Sequence, residues 1–214
     1  PLRFPLQDVY KFDARRILAG RITAGRLKVG DHLVFSPSNK TAIVQSIEGF
    51  NVDPPSSEAQ AGQSVGITLD EQIFVERGEI ASHRDSVPLV STVVRVNLFW
   101  MGRRPLEKGR KYTLRLATRE VACEVATIHR IIDTADLAQL QESQSVAKNQ
   151  VAEVTLRVKS PFAFDLSSSF ESTGRFVLVD EYDISGGGII TELVHDEQEG
   201  LREEARQREY AWLT

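Results

Sequence analysis

The sequence predicts an all-β protein of two tandem antiparallel β-barrels followed by a C-terminal helical tail. Short β-type runs in the first half are separated by Gly, Pro and Ser clusters, a spacing typical of sandwiches and barrels. In the second half, apolar and polar residues alternate with a period of two, as in strands that cover a core with one face. The last residues lose both patterns and adopt helical spacing, which sets the tail apart from the barrels.

The first barrel is predicted over residues 1–87. Its most regular part is residues 16–35, where two β-type runs are joined by Ala24-Gly25 and the second turn carries Lys28-Val29-Gly30-Asp31. Residues 51–63 have loop chemistry, because prolines cannot donate to a strand ladder and glycine accepts a positive φ. Strands are therefore expected near residues 9–12, 16–23, 32–36, 41–48, 64–69 and 79–82.

The second barrel is predicted over residues 88–192, after a polar segment at 84–88 that ends in proline. Residues 175–180 contain the continuous apolar run FVLV, which indicates a strand buried on both faces or inside a closed barrel, and 189–190 would complete that barrel. Residues 133–140 are expected to form a short helix. The alternating strands are marked by Thr92, Val94, Val96, Leu98 and Trp100, by Tyr112, Leu114 and Leu116, and by Val121, Cys123 and Val125.

The tail is assigned to residues 193–214. Leu201, Ala205 and Trp212 are helically spaced there, and charged residues crowd the other positions. We therefore expect a solvated terminal helix that either docks through Trp212 or continues into a further segment.

Composition excludes several classes of protein. With 41% hydrophobic and 26% charged residues among 214, the chain is ordinary for a soluble domain, and no apolar run approaches the roughly 20 residues of a membrane helix. Its net charge of −4, from 26 basic and 30 acidic residues, does not resemble a dedicated nucleic-acid binder. The lone Cys123 lies in an alternating run and predicts a buried thiol in a reducing compartment, which points to the cytoplasm.

The sequence offers no catalytic, cofactor-binding or metal-binding site. The phosphate loop G-x-x-x-x-G-K-[ST] is absent, and Asn39-Lys40-Thr41-Ala42 lacks the aspartate of the guanine-reading N-K-x-D pattern. The four histidines have no His or Cys partner at metal-ligand spacing. Ser185-Gly186-Gly187-Gly188 precedes a strand rather than a helix, so a tight turn or bulge explains it better than a phosphate cradle.

One basic and aromatic cluster stands out as a candidate partner-contact surface. It consists of Trp100, Arg103 and Arg104, with Arg110 and Lys111 across a turn. Such a group can hold a phosphate or RNA by charge and stacking. The alternative, a strand end that carries solvated cations, is favoured by the residues alone.

Several motifs together resemble the large GTPase subunit of bacterial sulfate adenylyltransferase, whose architecture is similar to elongation factors Tu and 1-alpha. Ala19-Gly20-Arg21-Ile22 and Ala61-Gly62-Gln63-Ser64-Val65-Gly66-Ile67 are general features of that superfamily. Leu98-Phe99-Trp100-Met101, followed by Pro105-Leu106, resembles the sulfate-enzyme branch in particular. Thr173-Gly174-Arg175-Phe176-Val177-Leu178-Val179-Asp180 continues the similarity, which covers residues 3–190.

This resemblance implies that the chain is a non-catalytic C-terminal piece, with barrels of the type called domains II and III in translation factors. GTP and Mg²⁺ would be bound by an N-terminal GTPase domain that precedes Pro1, and a separate small subunit would form adenylyl sulfate from ATP and sulfate. The barrels would act as a scaffold for those two partners. The alternatives are a translation-type GTPase, whose equivalent barrels hold aminoacyl-tRNA, and an independent binding module. The acidic balance makes nucleic acid an unfavoured partner.

Overall fold

The structure, a computed structural model, describes residues 1–12, 14–49, 55–135, 139–140 and 143–195. Two closed antiparallel barrels follow one another along these residues. The first closes in the order β1-β2-β7-β5-β4-β8, and β3 pairs with β6 outside it. Its strands are β1 (Phe4–Phe12), β2 (Arg15–Arg21), β3 (Arg26–Lys28), β4 (His32–Ser36), β5 (Lys40–Glu48), β6 (Glu58–Gln60), β7 (Ser64–Leu69) and β8 (Ile80–His83).

The second barrel closes in the order β11-β16-β17-β9-β15-β12, because β12 pairs back with β11. A further strand, β13, extends the sheet beside β12, and β10 pairs with β14. The elements are β9 (Leu89–Trp100), β10 (Leu106–Glu107), β11 (Lys111–Leu116), β12 (Arg119–Asp133), β13 (Gln139–Leu140), β14 (Ser145–Val146), β15 (Gln150–Phe164), the single-turn helix α1 (Glu171–Gly174), β16 (Arg175–Asp180) and β17 (Asp183–Leu193).

Each barrel has its own apolar core. Inward-facing side chains alternate with outward-facing polar ones along the strands, as a period of two requires. The first core includes Phe4, Leu18, Phe35, Val44 and Ile67. The second includes Val96, Trp100, Leu114, Leu156 and Phe176.

The predicted all-β fold of two barrels is confirmed. All six strands expected in the first half form the closed barrel, with ends that differ by a few residues. Two expectations were wrong. Residues 58–60, assigned to a loop, form β6, because this short segment pairs with β3. Residues 133 and 139–140 were assigned to a helix. Residue 133 instead ends β12, and residues 139–140 form β13, which pairs with Ile131 and Ile132 of β12.

The predicted helical tail falls almost wholly outside the described residues. Its first residue, Leu193, is the last residue of β17, and the described chain continues to His195. The helix expected after that point stays a prediction.

Trp100 explains one glycine of β17, Gly186. Its indole is fully buried and meets Tyr112 edge-on, with ring centroids 5.6 Å apart. A Cβ on Gly186 would lie 2.7 Å from the indole ring, so only glycine leaves space for it. Between Leu178 and Val179 the register shifts against β17 and leaves Ser185 as an extra residue. The glycine run therefore lies within β17, beside a bulge. Of the two predicted alternatives, a tight turn or a bulge, the bulge is confirmed.

Candidate partner-contact surfaces and the junction of the barrels

The two barrels are joined by a buried ion pair between Arg3, just before β1, and Asp165, just after β15. Arg3 Nε donates to Asp165 Oδ2 at 2.7 Å, and its Nη2 donates to Oδ1 at 2.9 Å. The two residues are 2% and 5% exposed. Two parallel charge-assisted hydrogen bonds in a desolvated site fix both distance and orientation.

The remaining hydrogen-bonding groups of this ion pair are also used. Arg3 Nη1 donates to the carbonyl oxygens of Leu2 and Ser86, and the Thr173 hydroxyl donates to Asp165 Oδ2 at 2.6 Å. The guanidinium carbon lies 4.3 Å from the centre of the Phe170 ring. A buried ion pair is tolerated only when its polar atoms have hydrogen-bond partners. This network therefore favours one relative position of Arg3 and Asp165 at the junction.

A second contact between the barrels involves Gly78, just before β8, and Arg119 of β12. Gly78 has a φ of +95°, and a Cβ there would lie 2.8 Å from Arg119 Cδ. The Arg119 guanidinium donates through Nη2 to the Ser160 hydroxyl at 3.0 Å. A side chain at position 78 would therefore be strained and would also push against the second barrel.

The five residues of the predicted contact cluster differ in burial and in their partners. Trp100 is 0% exposed and donates through its indole N–H to the Arg104 carbonyl oxygen at 2.8 Å. It supports the turn that carries the arginines, but it offers no ring face for stacking on a partner. The prediction that Trp100 belongs to a partner-contact surface is therefore wrong. The alternation of β9 puts its side chain on the core face.

Two of the cations in that cluster are already paired within the chain. Arg104 and Arg110 both donate to Oδ1 of the buried Asp180, at 3.3 and 2.9 Å, and Arg104 also pairs with Glu181 at 2.9 Å. The hydrogen bond to Glu181 raises the pKa of Arg104, and the same bond lowers the pKa of Glu181. Arg103 and Lys111 are exposed. Contact of this surface with a partner stays a prediction.

A groove that sequence reasoning missed lies on the outer face of the first barrel. It has a volume of about 650 Å³, and its walls include Tyr10, Phe12 and Ile17. Tyr10 and Phe12 are 48% and 59% exposed, with ring centroids 6.5 Å apart. Ala19 and Gly66 are paired residues of β2 and β7 and form a small-residue floor. We call this feature the aromatic groove.

The aromatic groove arises because one face of three strands points away from the core. Tyr10 pairs with Ile17, and Ala19 pairs with Gly66. These four positions therefore share the outer face of the sheet. Large side chains on β1 beside the smallest residues on β2 and β7 create a concavity. Exposed aromatic residues around a concave floor are typical of interaction sites.

Two further candidate residues, Cys123 and His129, have shifted pKa values. Cys123 is buried, as predicted, and burial raises the pKa of its thiol to about 12. Burial also lowers the pKa of His129, whose Nε2 lies 2.7 Å from the Thr155 hydroxyl. Among the described residues, no three His, Cys, Asp or Glu side chains are placed to hold a metal ion. Within the same residues, no helix is long and apolar enough to cross a membrane.

Comparison with known proteins agrees with the predicted resemblance. Residues 93–191 match the family described as GTP-eEF1A C-terminal domain-like. Sulfate adenylyltransferase subunit 1 of Shewanella oneidensis is 35% identical over 185 residues, which cover 84% of this chain and 38% of that protein. The same subunit from Laribacter hongkongensis is 32% identical over 192 residues, covering 88% of this chain and 39% of the relative. The chain thus spans about two fifths of the length of these relatives.

Solved structures show the same fold. The crystal structure of Sup35 complexed with GDP superposes with a TM-score of 0.82 at 19% identity, covering 91% of this chain and 48% of that one. The structure of Sup35 with GMPPNP gives the same values. At this identity the likeness shows the fold alone.

Proposed function

Because the chain is similar to sulfate adenylyltransferase subunit 1 over about two fifths of that protein's length, we propose that it is the non-catalytic C-terminal scaffold of such a subunit. In this proposal a GTPase domain outside this sequence binds GTP and Mg²⁺, and a separate small subunit forms adenylyl sulfate. The barrels hold those two parts in a fixed relation. The assembly acts in the cytoplasm, and nucleic acid is not its partner.

The observation that carries the proposal is the buried Arg3–Asp165 ion pair between two filled barrels. Large apolar side chains such as Phe35 and Trp100 occupy the two interiors. A barrel with a packed core moves as a unit when it is pushed, because packed cores have low compressibility. The ion pair makes the two barrels move together, so a shift at one barrel becomes a rigid-body shift at the other.

The aromatic groove supports a role in docking. Tyr10 and Phe12 expose aromatic rings on a strand face that would otherwise be polar. Covering them would remove apolar area from water, which favours association. We assign this face to the GTPase domain, since a nucleotide-dependent change there would act directly on the first barrel.

The proposal is tested with the full-length large subunit and its small subunit. Replacing Tyr10 and Phe12 together with serine is expected to reduce GTP-stimulated adenylyl sulfate formation about tenfold, because anchors of an interface carry most of its energy. The matched control is Val29→Ser, which removes another exposed apolar side chain, 43% exposed, from the same barrel. The control is expected to keep the normal rate.

Two results would contradict the proposal. One is an unchanged GTP stimulation in the double variant. The other is binding of aminoacyl-tRNA by the full-length protein without binding of a small subunit, which would favour the translation-type alternative.

A further inference from the structure

A second cleft lies on the outer face of the other barrel, where β12 and β15 stop pairing. Its volume is about 310 Å³. The ladder between the two strands ends at the pair Cys123 and Val158, and the next paired residue of β15, Phe162, lies opposite β9. The strands therefore separate after Val158. The cleft is lined by Lys111, Ala122, Cys123, Glu124, Arg157, Val158 and Lys159.

The lining residues carry an excess of positive charge. Three of them, Lys111, Arg157 and Lys159, are cationic, and Glu124 is the one acid among the described lining residues. Glu124 lies opposite Lys111 on one side and opposite Arg157 on the other, so one carboxylate faces two cations across adjacent strands. The local excess is two positive charges, although the whole chain carries a net charge of −4.

Two of these cations are available for a ligand. Lys111 and Lys159 are exposed, and neither ammonium group has an ion-pair or hydrogen-bond partner in the part of the chain that the structure describes. Beside Lys159, the Ser160 hydroxyl accepts a hydrogen bond from Arg119 at the start of β12. This bond ties the separated strand back to β12 and holds the rim of the cleft in place.

The floor of this cleft adds no negative charge. Ala122 is small and outward-facing, while Cys123 and Val158 are 4% exposed. Burial raises the pKa of the Cys123 thiol, so it stays neutral at physiological pH. A multiply charged anion in this cleft would lie near Lys111 and Lys159 and would displace no internal ion pair of either lysine.

We propose that this cleft between β12 and β15 binds a multiply charged phosphate group, with inorganic pyrophosphate as its simplest representative. The site is separate from the aromatic groove and does not depend on the proposed function. Lys111 and Lys159 supply mobile ammonium donors, and Arg157 adds positive charge to the wall of the cleft. Glu124 weakens binding by repulsion and limits the site to ligands with more than one negative charge.

The test is a titration of the 214-residue chain with pyrophosphate, followed by two-dimensional ¹H–¹⁵N NMR at a constant ionic strength set with sodium chloride. Shifts are expected at the amide signals of Ala122, Glu124 and Lys159. The variants Lys111→Ala and Lys159→Ala are each expected to weaken binding about threefold to fivefold, as for the loss of one partly exposed charge contact. Glu124→Gln is expected to strengthen it, which a merely structural effect would not do.

The matched control is Lys28→Ala, since Lys28 is an exposed lysine on the first barrel, 3.9 Å from Glu58. It should bind pyrophosphate as the unchanged chain does. The proposal is overturned if these amides do not shift, if Lys28→Ala weakens binding as much as Lys159→Ala, or if a single-stranded RNA oligonucleotide shifts them where pyrophosphate does not.

Discussion

Arg3 and Asp165 are 162 positions apart in the sequence, yet their side chains form two parallel hydrogen bonds of 2.7 and 2.9 Å in a site from which water is almost excluded. Arg3 is also anchored in the first barrel through its backbone, which bridges to Ala24. Asp165 is anchored in the second barrel, because its amide donates to the Thr173 carbonyl oxygen at 3.0 Å. The ion pair thus connects two points that are each fixed within a barrel.

Removal of either partner should destabilise the chain strongly. For Arg3→Ala we expect the free energy of unfolding to fall by about 3–5 kcal/mol, because the variant leaves an uncompensated buried carboxylate. Urea denaturation measures this change. The double variant Arg3→Met/Asp165→Leu should lose less than Arg3→Ala alone, since it leaves no buried charge. A double variant at least as unstable as Arg3→Ala would show that desolvation of the carboxylate is not the cause.

The three glycines of β17 should differ in their tolerance of alanine. Gly186→Ala is expected to reduce stability by about 1–3 kcal/mol, because its Cβ would lie 2.7 Å from the Trp100 ring and overpack the core. Gly187→Ala is the matched control, since its nearest contact would be 3.5 Å away. Thermal unfolding, followed by tryptophan fluorescence, measures both effects. Equal losses in the two variants would contradict the packing explanation.

Arg110 should matter more for stability than its neighbour Arg103. It donates to the buried Asp180 at 2.9 Å and lies 5.7 Å from the centre of the Tyr112 ring. Arg110→Ala should therefore cost about 1–2 kcal/mol in the free energy of unfolding, because Asp180 loses a charged donor. Arg103→Ala removes an exposed cation and should change little. Chemical denaturation of both variants measures the difference, and equal values would argue against the role of Asp180.

Cys123 should make stability fall at alkaline pH. Burial raises the pKa of the folded thiol to about 12, against 9.0 for the ordinary group, so the unfolded chain loses its proton first. The contribution is fully present below the unfolded value and is lost as pH rises from about 9 to about 12. The difference in stability between the unchanged chain and Cys123→Ala should shrink over that window. A difference that stays constant across it would contradict the burial argument.

The sequence predicted the barrels well because their strands are encoded locally. Alternation in β9 placed Val94, Val96, Leu98 and Trp100 on one face, and the turn residues marked where strands end. The same alternation already implied that Trp100 faces the core, so its assignment to a contact surface conflicted with the pattern that predicted its strand.

The sites were less predictable because they depend on which strands become neighbours. No local pattern connects Arg3 with Asp165, because the two residues are 162 positions apart in the sequence. The aromatic groove needs the pairing of β2 with β7, which brings Ala19 beside Gly66. The short strand β6 was missed because three residues give too little pattern to distinguish a strand from a loop.

In the proposed role this chain is a docking scaffold without nucleotide chemistry of its own. Isothermal titration calorimetry tests it most directly, with the 214-residue chain titrated in turn with GTP plus Mg²⁺ and with the small subunit of sulfate adenylyltransferase. We expect heat of binding for the small subunit and none for GTP. Saturable binding of GTP by this chain, or the absence of any binding to the small subunit, would contradict it.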